Sequence, residues 1–202
     1  MSEALGLEHK ILLKLGPRAK SILHSFRLVF VSEIAGRESL LWQILSALSS
    51  EGRRVLDHWG LPEVARFHEI NKKVAREIHR YQGLVRFQEK KAGIFVAEIE
   101  PDHGILPFLG PHFSRRMGNL NWMIFDSRRA WLLGHEPPGP CTFWTEAQWL
   151  EGSQTKDPQE AQFQALWKEY HRKAAVPGRE NPRVQKAFMP RRYWKHLVEM
   201  EG

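Results

Sequence analysis

The chain has 202 residues, 42% hydrophobic and 26% charged, so it can build a real core and global disorder is not expected. A net charge of +7 and a pI near 9.7 favour a polyanionic partner. The lone cysteine, Cys141, excludes an internal disulfide and a cysteine-rich zinc site and suits a reducing compartment, while the opening Met-Ser-Glu-Ala-Leu-Gly lacks a signal peptide's basic and apolar regions. No stretch approaches the roughly 20 apolar residues of a spanning helix, so a cytoplasmic protein with no membrane partner is expected.

Residues 7–80 predict helices. Ile11, Leu12, Leu15, Ile22, Leu23, Phe26, Val29 and Phe30 recur at helical spacing, with a break near Gly16-Pro17. Leu40, Leu41, Ile44, Leu45 and Leu48 form a second stripe, and Val64, Phe67, Val74 and Ile78 a third, opened by Leu61-Pro62. Glu77, His79 and Arg80 are expected at a helix C-terminus, where cationic side chains suit the helix dipole.

From Tyr81 the period changes to two, and residues 81–134 predict an antiparallel β-meander of about four strands with an inserted helix. Leu84–Glu89 alternates, with Arg86 in mid-strand. Lys90-Lys-Ala-Gly93 predicts a turn, and Ile94–Ile99 a second strand. Prolines 107 and 111 predict a distorted or broken helix after Pro101-Asp102. Asn121–Asp126 and Ala130–Leu133 complete the meander around a Ser127-Arg-Arg129 turn, in which Asp126 is expected to bond backbone amides.

Residues 135–158 are rich in Pro and Gly and predict a long connection with one short element around Thr142–Trp149. Asp157-Pro-Gln-Glu160 has the cap, proline and acid of a helix start, and the helix carries Phe163, Leu166, Trp167 and Tyr170. Asn181-Pro182 starts a short helix and Met189-Pro190 ends it, before a last helix carrying Trp194, Leu197 and Val198. Helices, then strands, then helices predict an α+β fold in one domain over residues 1–202, with 158–202 its basic helical part.

That last part holds the clearest chemical signal. From Ala165 to Gly202 nine Lys or Arg face four Asp or Glu, and the cations alternate with aromatics. Arg179, Arg183, Arg191, Arg192 and Lys195 suit phosphates, while Tyr193, expected to be exposed, and Trp194 offer rings for bases. Trp194 has a second reading, packed inward from an amphipathic helix. Arg86, Arg115, Arg116, Arg128 and Arg129 are further phosphate candidates.

Signatures of phosphate loops, dinucleotide folds, zinc proteases and serine hydrolases are absent, and no metal or cofactor is implied. Glu100-Pro-Asp-His103 and Pro111-His-Phe-Ser-Arg-Arg116 carry the candidate acid/base set Asp102, His103 and His112. The competing reading makes Asp102 a helix cap and His112 a hydrogen-bonded core histidine.

Several stretches resemble a known family: Glu77-Ile-His-Arg-Tyr-Gln-Gly-Leu-Val-Arg-Phe87, Glu100-Pro-Asp-His103, Pro111-His-Phe-Ser-Arg-Arg116, Asn121-Trp-Met-Ile-Phe-Asp126, Asn181-Pro-Arg183 and Met189-Pro-Arg-Arg-Tyr-Trp194. In order, over roughly residues 20–200, they look like a bacterial domain-of-unknown-function family described as a probable DNA metabolism or putative DNA repair protein. The resemblance implies DNA as substrate or scaffold. It also implies the company of a radical S-adenosylmethionine protein or a uracil-DNA glycosylase, because members stand beside the first and some are fused to the second. It carries over no catalytic residue.

Three functions are therefore in view. The first is a DNA-binding accessory protein that serves a partner enzyme in repair or modification. The second is a DNA-acting glycosylase or nuclease using the Asp/His set, with Trp122, Trp131 or Trp144 lining a base pocket. The third is a protein–protein adaptor, which would show an exposed apolar patch.

Overall fold

The computed structural model describes residues 16–90, 93–144, 160–174 and 181–200. These divide into two compact units. One runs from the start of the described chain to Glu77 and includes Asp102–Gly104; the other comprises Ile78–Pro101 and the residues from Ile105 onward.

The first unit is helical. A 3-10 turn at Gly16–Arg18 leads into α1 (Ala19–Phe30), followed by α2 (Arg37–Glu51), a second 3-10 turn at Arg53–Asp57, and α3 (Pro62–Leu84), which enters this unit as far as Glu77. Pro62 suits the first position of α3, where its missing N–H would have found no partner. Ile22, Val29, Ile44, Val64, Phe67 and Val74 are buried, and the Phe26 and Phe67 rings meet at 5.2 Å. The α2 stripe is narrower than its leucines suggest: Leu40 and Ile44 are buried, while Leu45 is exposed. Residues 7–15 of the expected helical part lie outside the described residues.

The second unit is built on a sheet of β1 (Gln88–Lys90), β2 (Ile94–Ile99), β3 (Asn121–Asp126), β4 (Trp131–His135) and β5 (Cys141–Trp144), in that spatial order. Neighbours are antiparallel except β2 and β3, which run parallel from Ile94 opposite Asn121 to Ile99 opposite Asp126. A parallel pair needs a crossover, and α4 (Leu106–Met117) supplies it. The α+β class stands, but the sheet is mixed and five-stranded rather than an antiparallel meander of about four. Alternation identifies strands without giving their direction, and the helix between two of them was the sign of the parallel pair.

Three boundaries also differ. The helix α3 continues to Leu84 because its apolar stripe runs on to buried Tyr81, so Arg86 lies between helix and strand rather than in mid-strand. The Pro/Gly cluster at 136–140 is the turn of the β4–β5 hairpin, and β5 overlaps the short element expected around Thr142–Trp149, of which 145–149 lie outside the described residues. The helix α4 runs unbroken through Pro111. Pro107 sits in the first turn, where no donor is needed, so only Pro111 forfeits an internal bond. Burial of Leu106, Leu109 and Phe113, worth about 1.5–3 kcal/mol each, offsets that loss.

Register places Phe95, Trp122, His135 and Cys141 in one row across the sheet. This row belongs to the face covered by α4: Phe113 meets Trp122 at 6.2 Å, and the Ser114 hydroxyl lies 2.8 Å from Cys141 Sγ. Gly110 permits the approach, since a Cβ there would stand 3.1 Å from Leu133 Cδ2. The opposite face carries Val96, Met123 and Leu132, with Trp144 packed against them.

After the sheet come α5 (Glu160–Ala174) and α6 (Pro182–Phe188). Asn181 caps α6 by accepting the Val184 N–H at 3.1 Å. The expected last helix is instead two 3-10 turns, Arg191–His196 and Val198–Met200, with Tyr193 and Leu197 buried.

Candidate nucleic-acid interface

A cavity of about 550 Å³ opens in the second unit where the chain leaves α3, the end of α4 and the first turns of α5 come together. Phe87, Phe95 and Phe113 line it from the sheet and α4, and Phe163 and Trp167 from α5. Arg86 and Arg116 stand in the same wall. Phe163, Trp167 and Tyr170 lie at i, i+4 and i+7 on α5, which puts them on one helix face. They are 56%, 39% and 63% exposed, a large aromatic area to leave in water.

Three side chains tie the terminal residues to this cavity. The Glu199 Oε1 accepts from Arg86 Nη2 at 2.7 Å and from Nε at 3.2 Å, while its Oε2 accepts the Trp167 indole N–H at 2.9 Å. The Arg86 guanidinium also lies 5.4 Å from the Trp167 ring centre. Burial by itself would push the Glu199 carboxyl up, but hydrogen bonds from Arg86 and Trp167 and the Arg86 charge outweigh it, so the carboxyl sits below its usual range. A second carboxylate is fully engaged: Glu160 accepts the Glu89 N–H at 3.0 Å on one oxygen and Gln164 Nε2 at 2.8 Å on the other.

The expected phosphate contacts divide into two sets. Arg115 and Arg116, in the last turn of α4, are exposed, as are Arg183 and Arg191. Arg191 lies over Trp194 at 5.7 Å, and Trp194 gives its N–H to Met189 O at 2.9 Å, so that half-buried ring already has a cation on it. Lys195 is exposed but ion-paired with Glu100, and Arg128 stands 3.8 Å from the same carboxylate. Arg179 and the side chain of Arg192 lie outside the described residues.

The other set is structural. Arg129 is buried against Asp126 at 2.9 Å and donates to Pro101 O at 3.1 Å. Asp126 accepts the N–H groups of Arg128 and Arg129, the turn chemistry expected of it. Tyr193 is 2% exposed, packed edge-on to Tyr81 at 5.0 Å, which corrects the expectation of an exposed ring. Trp122 is fully buried, Trp131 is exposed beside Phe143, and Trp144 lies over Gly134, so none of the three lines the cavity.

The acid/base candidates fall in different units. Asp102 and His103 belong to the first, where the buried Glu77 carboxylate accepts both their backbone N–H groups at 2.7 and 3.0 Å. His103 Nδ1 accepts the Glu33 N–H at 3.2 Å, which leaves the ring proton on Nε2. The N-cap position of α4 is Ile105 rather than Asp102. His112 belongs to the second unit and is half-buried. Its Nε2 has no hydrogen-bond partner among the described residues, and burial with the charges of Arg116 and Arg115 lowers its pKa, keeping the ring neutral near pH 7. His112 does not line the cavity. Among the described residues no three His, Cys, Asp or Glu side chains group as a metal site would.

Glu77 was read as a helix-end residue, yet it falls in line with Val74 and Tyr81 on the buried stripe of α3, an unusual place for a carboxylate. Replacing it with glutamine turns one acceptor into an N–H facing an N–H. Glu77→Gln is expected to lower stability by about 1–3 kcal/mol, read as a fall in urea midpoint at unchanged slope.

No helix among the described residues is long and apolar enough to cross a membrane. No curated protein and no solved structure matches the chain. One family model does, over residues 35–199. With most of its length matched, the chain belongs to the DUF4130 family, a domain of unknown function.

Proposed function

We propose that this protein is a DNA-binding accessory component of a repair or modification system, working beside a partner enzyme. One observation carries the reading: the basic C-terminal segment is fastened, through Glu199, to the two side chains Arg86 and Trp167 that wall an aromatic cavity. Exposed cations at Arg115, Arg116, Arg183 and Arg191 supply phosphate contacts in the same unit, and exposed rings supply stacking surfaces. The net charge of +7 adds long-range attraction for a polyanion. The sequence resemblance points to a radical S-adenosylmethionine protein or a uracil-DNA glycosylase as the kind of partner to try first.

The test is fluorescence anisotropy with single-stranded, duplex and uracil-containing DNA over a salt series, with product analysis on the same samples. Salt-sensitive binding without product supports the accessory role. Base release or strand cleavage would make the protein an enzyme, with Asp102, His103 and His112 its first variants. No binding at low salt would overturn both. Replacing Arg115 and Arg116 together with alanine is expected to weaken binding to all sequences alike and to flatten the log–log salt slope by about one to two units. An unchanged slope would remove the end of α4 from the interface.

A further inference from the structure

The cavity has a chemistry of its own, distinct from that of a phosphate groove. Arg86 is paired with Glu199, and both oxygens of buried Glu160 accept amide N–H groups. The exposed Arg116 stands in the same wall, where an anion attached to an uncharged ring finds a cation beside it. Aromatic rings dominate the lining, which favours a flat ring over a flexible chain. Trp167 is fixed in place by its bond to Glu199, so it offers a platform with little ordering cost. The Gln164 amide is oriented by Glu160, which takes its N–H and leaves the carbonyl as an acceptor for a ring edge. The volume, about 550 Å³, lies within the roughly 300–1,000 Å³ of small-molecule clefts.

We infer that this cavity receives one unstacked nucleobase of a DNA single strand, against Phe163 and Trp167, with a neighbouring phosphate on Arg116. The inference rests on the DNA-binding reading above and adds a base-holding site to it. A free nucleotide offers the same ring and phosphate, and the test separates the two sources.

Binding is measured for a strand of about eight thymidines, for an abasic strand of the same length, and for thymidine monophosphate, using the full chain and its Phe163→Ala and Phe163→Leu variants. Phe163 is largely exposed, so both variants are expected to fold, and leucine keeps the apolar bulk without the ring. The full chain is expected to prefer the thymidine strand by about tenfold or more, the range of one stacked base. Both variants should lose most of that preference and keep the abasic affinity and salt slope. Equal binding of the two strands by the full chain, or an equal loss on both in the variants, would overturn the base site while leaving DNA binding intact. Binding of the mononucleotide without either strand would overturn the strand as the source. No binding of any DNA would instead defeat the underlying DNA-binding reading.

Discussion

Asp126→Ala is expected to destabilise the protein by about 3–5 kcal/mol, the cost of removing one member of a buried ion pair. Asp126 has no exposed surface, and the Arg129 side chain that it holds at 2.9 Å is 9% exposed. The carboxylate also accepts two backbone amides at 3.1 and 3.3 Å, so its removal takes the acceptor from both amides of the β3–β4 turn as well as the counter-charge from Arg129. Arg129 keeps its bond to Pro101 O and cannot shed its charge. Urea unfolding at neutral pH measures the effect, and a loss under about 1 kcal/mol would show that the pair is not what closes the turn. Arg129→Met in the Asp126→Ala background should recover part of the loss, because an uncharged side chain needs no partner. Burial pushes the Asp126 carboxyl above its usual range despite Arg129 and the two amides. A folded carboxyl that holds its proton more tightly than the unfolded one adds stability below the ordinary value of 3.8, and loses it as pH rises through the raised folded value.

What periodicity could reveal in this chain was whether a segment is helix or strand. The stripes of α1 and α3, the six residues of β3 and the α+β order all follow from side-chain spacing, which the backbone period imposes directly. Strand direction is not written in spacing. The parallel β2–β3 pair arises because α4 returns the chain to the edge from which β2 began, a long-range fact. Val85 and Phe87 imitate a strand in the sequence, but residues 85–89 are all half-buried and strand pairing begins only at Gln88. The prolines of 136–140 suggested a long connection, but proline punctuates a hairpin turn equally well.

The site was half legible for a related reason. The sequence marks cations and aromatics, and those at Arg115, Arg116, Arg183 and Arg191 are exposed as a phosphate interface requires. It does not mark which cations have carboxylate partners far along the chain. Arg86 and Glu199 are 113 residues apart, and nothing local pairs them. Phe163, Trp167 and Tyr170 are expected on a helix, but helical spacing does not say whether such a stripe faces a core or solvent. Only their exposure separates the two cases. Tyr193 shows the converse, an aromatic in a basic run that the fold takes inside.

Glu199→Gln should therefore have the largest effect on stability and binding together. The Glu199 side chain is 2% exposed and the Arg86 side chain 25%, so breaking their pair is expected to cost about 3 kcal/mol, the lower end for a buried pair because Arg86 keeps some access to water. Glutamine preserves the volume and can still accept one hydrogen bond, so the loss reads the charge rather than a cavity. Because the folded carboxyl sits below its ordinary value of 4.5, the native pair contributes its full stability above that value and loses it as pH falls through the lowered folded one. The variant should accordingly lack this acid-dependent part of the stability curve, a sign opposite to that at Asp126. The binding effect follows from what Glu199 holds. The amide keeps one oxygen for either Arg86 or Trp167 and turns an NH2 toward the other, so the two side chains are no longer held together and the cavity wall is less pre-ordered for a ring. At a temperature where the variant remains folded, its preference for a base-bearing strand should fall by about tenfold while abasic binding changes little. A variant as stable as the parent, or one that keeps the full preference for bases, would show that the terminal segment does not set the cavity.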